Sequence, residues 1–119
     1  MKLLIVDDSS VIRKLIEKHL SEFDIDIVGR AANGMQALDI FREKDPDLVT
    51  LDITMPEMDG LQVLDEMMKI NRKAKVLVIT ALTDKTTGLQ ALLKGAKGYL
   101  GKPFTPDKLK NSFEKLIGA

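Results

Sequence analysis

Apolar residues follow two alternating rhythms along this chain. Short runs of consecutive or alternate apolar residues give way to stretches where they recur every three or four positions, the signatures of strand and helix. "KLLIV" (2–6) reads as a strand. A helix opens near Ser9 or Ser10 and carries Ile12, Leu15, Ile16 and Leu20 on one stripe. "IDIVGRA" (25–31) alternates over half its length and reads as an edge strand. Asn33 caps a helix with Ala37, Leu38 and Phe41 on one face. Asn33-Gly34 alone signals a hairpin, but a helical stripe follows, not a strand. "DLVTL" (47–51) is the third strand, and Leu61, Leu64 and Met68 mark the third helix. "KVLVIT" (75–80) is apolar on both faces and therefore central. A helix over about 84–94 follows, with Gly95 as its stop. "KGYLG" (97–101) is a short edge strand. Thr105-Pro106 starts a last helix that buries Leu109, Phe113, Leu116 and Ile117.

Five βα units in series predict an α/β fold, a parallel sheet with helices on both faces. No repeat, low-complexity segment or linker interrupts them, so residues 1–119 are expected to form one domain with no output domain attached. The chain has no cysteine, which removes disulfides, thiolate metal sites and cysteine nucleophiles and fits a cytoplasmic location. "LLIV" is too short for a signal-peptide core or a membrane span. Net charge is zero, yet residues 1–60 hold 13 acidic and 7 basic residues while residues 61–119 hold 5 and 11. The lysines of the second half are scattered and have few aromatic neighbours. They read as solvated surface rather than as a nucleic-acid patch.

"DLVTLDITMPEMDG" (47–60) changes the picture, because an apolar strand runs straight into Asp52 and a turn with Pro56 and Gly60 follows. A helix cap, a metal ligand and a nucleophile are all open readings of Asp52. In a parallel α/β sheet, ligands bind beyond the C-terminal strand ends. Four of the five strands end there in reactive groups: Asp7 and Asp8, then Asp52, Thr80 and Lys102. Three carboxylates brought together raise one another's pKa or need a cation, and oxygen-only ligands select a hard ion such as Mg²⁺. Lys102 is no plausible ligand for that ion but can neutralise an anion held by it. Carboxylates, hard cation, hydroxyl and lysine suit phosphoryl transfer, in which a carboxylate can serve as the nucleophile. Taken singly these residues have plainer readings. Asp7 and Asp8 are good helix caps, Thr80 is an ordinary strand-end hydroxyl and Tyr99 an edge-strand aromatic. His19 is expected at the surface near a helix C-terminus, and Met67 and Met68 as core and partner-surface fill.

The motifs "IVDDS" (5–9), "LDITMPEMDG" (51–60), "VITA" (78–81) and "GYLGKPF" (98–104) stand in order at βα spacing. Together they make the chain resemble a response regulator receiver domain of the stand-alone type. The resemblance implies a flavodoxin-like (βα)5 sheet with strand order 2-1-3-4-5. It implies that Asp52 accepts a phosphoryl group from a histidine kinase phosphohistidine, a phosphotransfer protein or a small phosphodonor. Asp8, Asp52 and the Thr54 carbonyl would bind Mg²⁺, with Asp7 supporting it through water. Lys102 would contact the phosphoryl oxygens, as would Thr80 and the backbone N–H groups near Thr54 and Ala81. Tyr99 would turn inward when Thr80 moves, and the Lys102–Pro103 bond would be cis. The domain would be a phosphorylation-activated switch and not an enzyme acting on a separate substrate.

Three positions depart from common variants: Thr54, Leu82 and Gly101. The resemblance makes Thr54 and Leu82 tuners of phospho-form lifetime, and Leu82 suggests shielding from water and a long-lived signal. Gly101 is expected to loosen the last strand. The helix after Thr80 contains Thr86, Thr87 and Gly88, all weak helix formers, and is suited to shifting between arrangements. That fourth helix, the fifth strand and the fifth helix are expected to form the face for a downstream protein. Basic residues there include Lys85, Lys94, Lys97, Lys108 and Lys110. The competing reading is a haloacid-dehalogenase-type phosphatase, which also uses a strand-end aspartate and Mg²⁺. It would want a second acid at position 54 to protonate the leaving group. A flavin binder would need a phosphate loop less acidic than "DDSSV".

Overall fold

The computed structural model describes residues 1–55, 59–81 and 84–119. The expected turn at Pro56 and the lifetime position Leu82 lie outside them. The chain alternates β1 (Lys2–Val6), α1 (Ser10–His19), β2 (Asp26–Ala31), α2 (Gly34–Lys44), β3 (Leu48–Asp52), α3 (Gly60–Ile70), β4 (Lys75–Ala81), α4 (Lys85–Leu93), β5 (Gly98–Lys102) and α5 (Pro106–Gly118). The strands form one parallel sheet ordered β2-β1-β3-β4-β5, so β2 and β5 are the edges, as expected.

Strand side chains alternate between faces, and the core divides accordingly. Leu4, Val6, Val49, Leu51, Val76 and Val78 point to the side covered by α2, α3 and α4. Leu3, Ile5, Leu48, Leu77, Ile79 and Leu100 point to the side covered by α1 and α5. Both layers are apolar, which is why the inner strands read as unbroken hydrophobic runs.

Each helix begins with a side-chain cap. Ser9, Asn33, Asp59, Asp84 and Thr105 accept from the N–H of Ile12, Gln36, Leu61, Thr87 and Lys108 respectively. Thus Ser9, rather than Asp7 or Asp8, caps α1. α4 stops where expected, at Gly95 with φ of +115°, a conformation that favours glycine. Two stripes differ in detail. α3 buries Val63, Leu64 and Met67, leaving Leu61 and Met68 half-buried, while Leu15 on α1 is exposed. Leu61 and Met68 still pack against the core, and α3 presents Gly60 to Ile53, where a β-carbon would stand 2.4 Å from the Ile53 Cα. His19 is half-buried in the last turn of α1. Among the described residues no helix is long and apolar enough to cross a membrane.

Candidate functional site

β1 and β3 are neighbours, and Val6 pairs with Leu51. The next residue of each strand is an acid, so Asp7 and Asp52 arrive side by side at the C-terminal edge, both buried. Asp8 follows them and is exposed. One carboxylate oxygen from each of Asp7, Asp8 and Asp52 lies within 4.8 Å of the others.

Lys102 reaches this cluster from the end of β5. Its Nζ donates to Asp7 Oδ2 at 2.8 Å and to Asp52 Oδ2 at 3.0 Å. The remaining oxygens are held locally. Asp7 Oδ1 accepts the Ser9 N–H at 2.9 Å, and Asp52 Oδ1 accepts both the N–H and the hydroxyl of Thr54, at 2.8 and 2.6 Å. Arg13 on α1 donates to the Asp7 carbonyl at 2.6 Å, tying the acidic loop to the helix behind it.

Electrostatics follow from this geometry. Burial pushes the Asp7 carboxyl above the usual range; Lys102 and the Ser9 N–H oppose that, and the Asp52 charge adds to it. For Lys102, burial is the largest single influence and acts downward. The hydrogen bonds and charges of Asp7 and Asp52 together outweigh it and raise the ammonium pKa. Lys102 is therefore a fixed positive charge at neutral pH.

One ammonium among three carboxylates leaves the cluster short of positive charge. The donors facing it are oxygens, without His or Cys, and their spacing suits a single small hard cation. The residues thus fit Mg²⁺, with Asp7, Asp8 and Asp52 as the group able to hold it. Beside them, in β4, the Thr80 hydroxyl is buried and has no hydrogen-bond partner among the described residues. Thr50, two residues before Asp52, is the other buried hydroxyl in that condition. An anion bound above Asp52 would offer Thr80 an acceptor. Ala81, the last residue of β4, is half-buried next to Thr80. Tyr99 lies three residues before Lys102 on β5, 37% exposed. The Lys102–Pro103 bond is cis.

The structure thus brings together Asp7, Asp8, Asp52, Thr54 and Lys102, and sets Thr80 beside them. Two contributions went unseen in the sequence. The Thr54 hydroxyl bond to Asp52 has a weak local signal, since aspartate side chains readily accept from the backbone two residues on. The Arg13 contact has none, because it depends on how α1 packs over the loop.

Residues 3–114 match the family model described as the response regulator receiver domain. The chemotaxis protein CheY of Listeria monocytogenes is 42% identical over 115 residues, covering 97% of each chain. CheY of Bacillus subtilis is 37% identical over 116 residues, covering 98% of this chain and 97% of that one. The solved CheX-CheY-BeF3-Mg²⁺ complex from Borrelia burgdorferi contains a similar fold, with TM-score 0.90 and 33% identity over 98% of this chain and 89% of that one.

Proposed function

The chain belongs to the response regulator receiver domain family, and from that premise we propose that Asp52 is the phosphoacceptor of a two-component signalling switch. Receivers of the CheY type are phosphoacceptors and switches, not turnover enzymes. The observation that carries the assignment to Asp52 is its setting. It is a buried strand-end carboxylate in a three-acid cluster, bonded to a lysine that Asp7 also holds.

In this reading an Asp52 oxygen attacks the phosphorus of a phosphohistidine on a sensor kinase or phosphotransfer protein, or of a small acyl phosphate. The O–P bond forms as the P–N or P–O bond to the donor breaks, and the leaving group keeps the electron pair. Asp8, Asp52 and the Thr54 carbonyl would hold Mg²⁺, with Asp7 supporting it. Bound Mg²⁺ supplies charge neutralisation for the oxygens of the transferring group. Lys102 offsets negative charge on the phosphoryl oxygens. Thr80 turns its hydroxyl to them, beside the backbone N–H groups near Thr54 and Ala81. Tyr99 answers that movement.

Thr54 has a second part. The bridging oxygen of an acyl phosphate is a poorer acceptor than a carboxylate oxygen, so phosphorylation at Oδ1 would release the Thr54 hydroxyl. Together with Leu82, Thr54 then sets phospho-form lifetime. A phosphatase of the haloacid-dehalogenase type would want an acid at position 54, whereas Thr54 gives its hydroxyl to Asp52.

The downstream protein docks on α4, β5 and α5, where Leu89, Leu93 and Tyr99 are exposed. Lys85, Lys97 and Lys108 make no ion pair among the described residues, whereas Lys94 and Lys110 are paired with Asp65 and Glu22. Residues 1–119 act as a single receiver domain in the cytoplasm, without contact to nucleic acid or membrane. Incubation with Mg²⁺ and acetyl phosphate should add one phosphoryl mass, lost in Asp52→Asn. No adduct, or an adduct surviving that change, overturns the assignment.

A further inference from the structure

Tyr99 projects from β5 toward α4, and the helix position it meets is Gly88. A β-carbon built on Gly88 would stand 2.9 Å from Tyr99 Cδ2 and 3.1 Å from both Cε2 and Cγ. Atoms Cγ and Cδ2 lie near the root of the ring, so wagging its far end cannot relieve that contact. Gly88 is buried in the middle of α4, where a glycine is otherwise unfavourable. Its missing side chain is the space the ring occupies.

A second glycine lies along the sheet from the ring. Tyr99 and Gly101 share a face of β5 by the two-residue period, and Gly101 pairs with Thr80. Gly101 contributes no side chain between Tyr99 and Thr80, whose hydroxyl has no partner among the described residues.

We propose that Gly88 is a positioning residue that seats the Tyr99 ring against α4 in the unphosphorylated protein and so sets the resting position of the switch. Filling that seat drives the ring out of its resting place before any phosphoryl group arrives. The inference rests on the reading of Thr80 and Tyr99 as the switch, and it adds the element that holds the tyrosine at rest. A ligand shifts such an equilibrium only by its differential affinity for the two states, so a strained resting state lowers what phosphorylation must supply.

Tyr99 is the sole tyrosine of a chain that has no tryptophan, so it can be watched alone. The test is 19F NMR of the full chain labelled with 3-fluorotyrosine, with and without beryllofluoride and Mg²⁺. Wild type should give one resonance that moves when the acyl-phosphate mimic is added. Gly88→Ala without the mimic should already be displaced from the unliganded wild-type position. Thr86→Ala, an exposed substitution on the same helix, raises helix propensity without filling the seat and should superpose on wild type. If the wild-type signal moves but unliganded Gly88→Ala matches unliganded wild type, the role of Gly88 is overturned and the switch reading stands. Thr86→Ala displaced as far as Gly88→Ala would also overturn it, tracing the effect to helix stability. A wild-type signal that ignores the mimic overturns the switch reading itself.

Discussion

α4 and α5 flank the same edge strand, β5, and are built on opposite plans. α5 starts with a Thr105 cap and Pro106, carries Asp107 in its first turn and Lys115 in its last, and buries Leu109, Phe113 and Leu116. Phe113 also meets Phe23 edge-on, with ring centroids 5.0 Å apart. α4 has no acid in its first turn and no base in its last, contains Thr86, Thr87 and Gly88, and fully buries only Gly88 and Ala91. Of its three leucines, Leu92 packs half-buried against the core, while Leu89 is 55% and Leu93 89% exposed. One helix is anchored to the sheet by three buried large side chains; the other rests on it through Gly88, Ala91 and the half-buried Leu92. In the proposed reading Thr80 and Tyr99 are the switch, and a helix with few buried anchors beside them is suited to a change of arrangement.

The largest test of this contrast is stability. Phe113→Ala should cost about 3–5 kcal/mol, the range for deleting a buried aromatic. Leu93→Ala should fall within about 0.5 kcal/mol of wild type, as exposed substitutions do. Urea denaturation measures both, and equal losses would dissolve the distinction. Amide exchange sharpens it next: the central amides of α4 should open at least about tenfold faster than those around Phe113. Comparable protection in the two helices would mean that α4 is held by something other than its buried surface.

The smallest effect concerns the pin at the end of β5. Lys102 is tied to Asp7, whose folded-state pKa is raised by burial. A carboxyl more easily protonated in the native state stabilises it fully below its unfolded pKa. That contribution is lost as pH rises through the folded pKa, because the folded protein binds more protons in the window. Above the window, in metal-free protein, the buried Asp7 charge is a net cost. Asp7→Asn should therefore keep or raise the metal-free melting temperature at neutral pH while weakening stabilisation by Mg²⁺. Calorimetry with and without Mg²⁺ checks this, and a lower metal-free melting temperature would show that the Lys102 pairing outweighs burial.

The βα rhythm, the two edge strands, the central β4, the start of α5 and the stop at Gly95 were legible in the chain, because each rests on local pattern or turn chemistry. So was the set of strand-end residues, since parallel strands deliver their C-termini to one edge whatever packs behind them. On α3 the expected Leu64 is buried and Leu61 and Met68 pack half-buried against the core, while Val63 and Met67, outside the expected stripe, complete the buried face.

Which groups touch was decided only by the tertiary structure. The chain alone does not distinguish the buried Asp7, bonded to Lys102, from the exposed Asp8 beside it. Neither does it show that the Thr54 hydroxyl closes on Asp52, nor that a glycine in a weak helix faces the ring of Tyr99. Gly88 read as mere helix weakness in the sequence, and in the fold it is a seat. The reason is physical: local pattern records what each residue prefers, whereas contacts between Lys102 and Asp7, 95 residues apart, exist only once the sheet has closed.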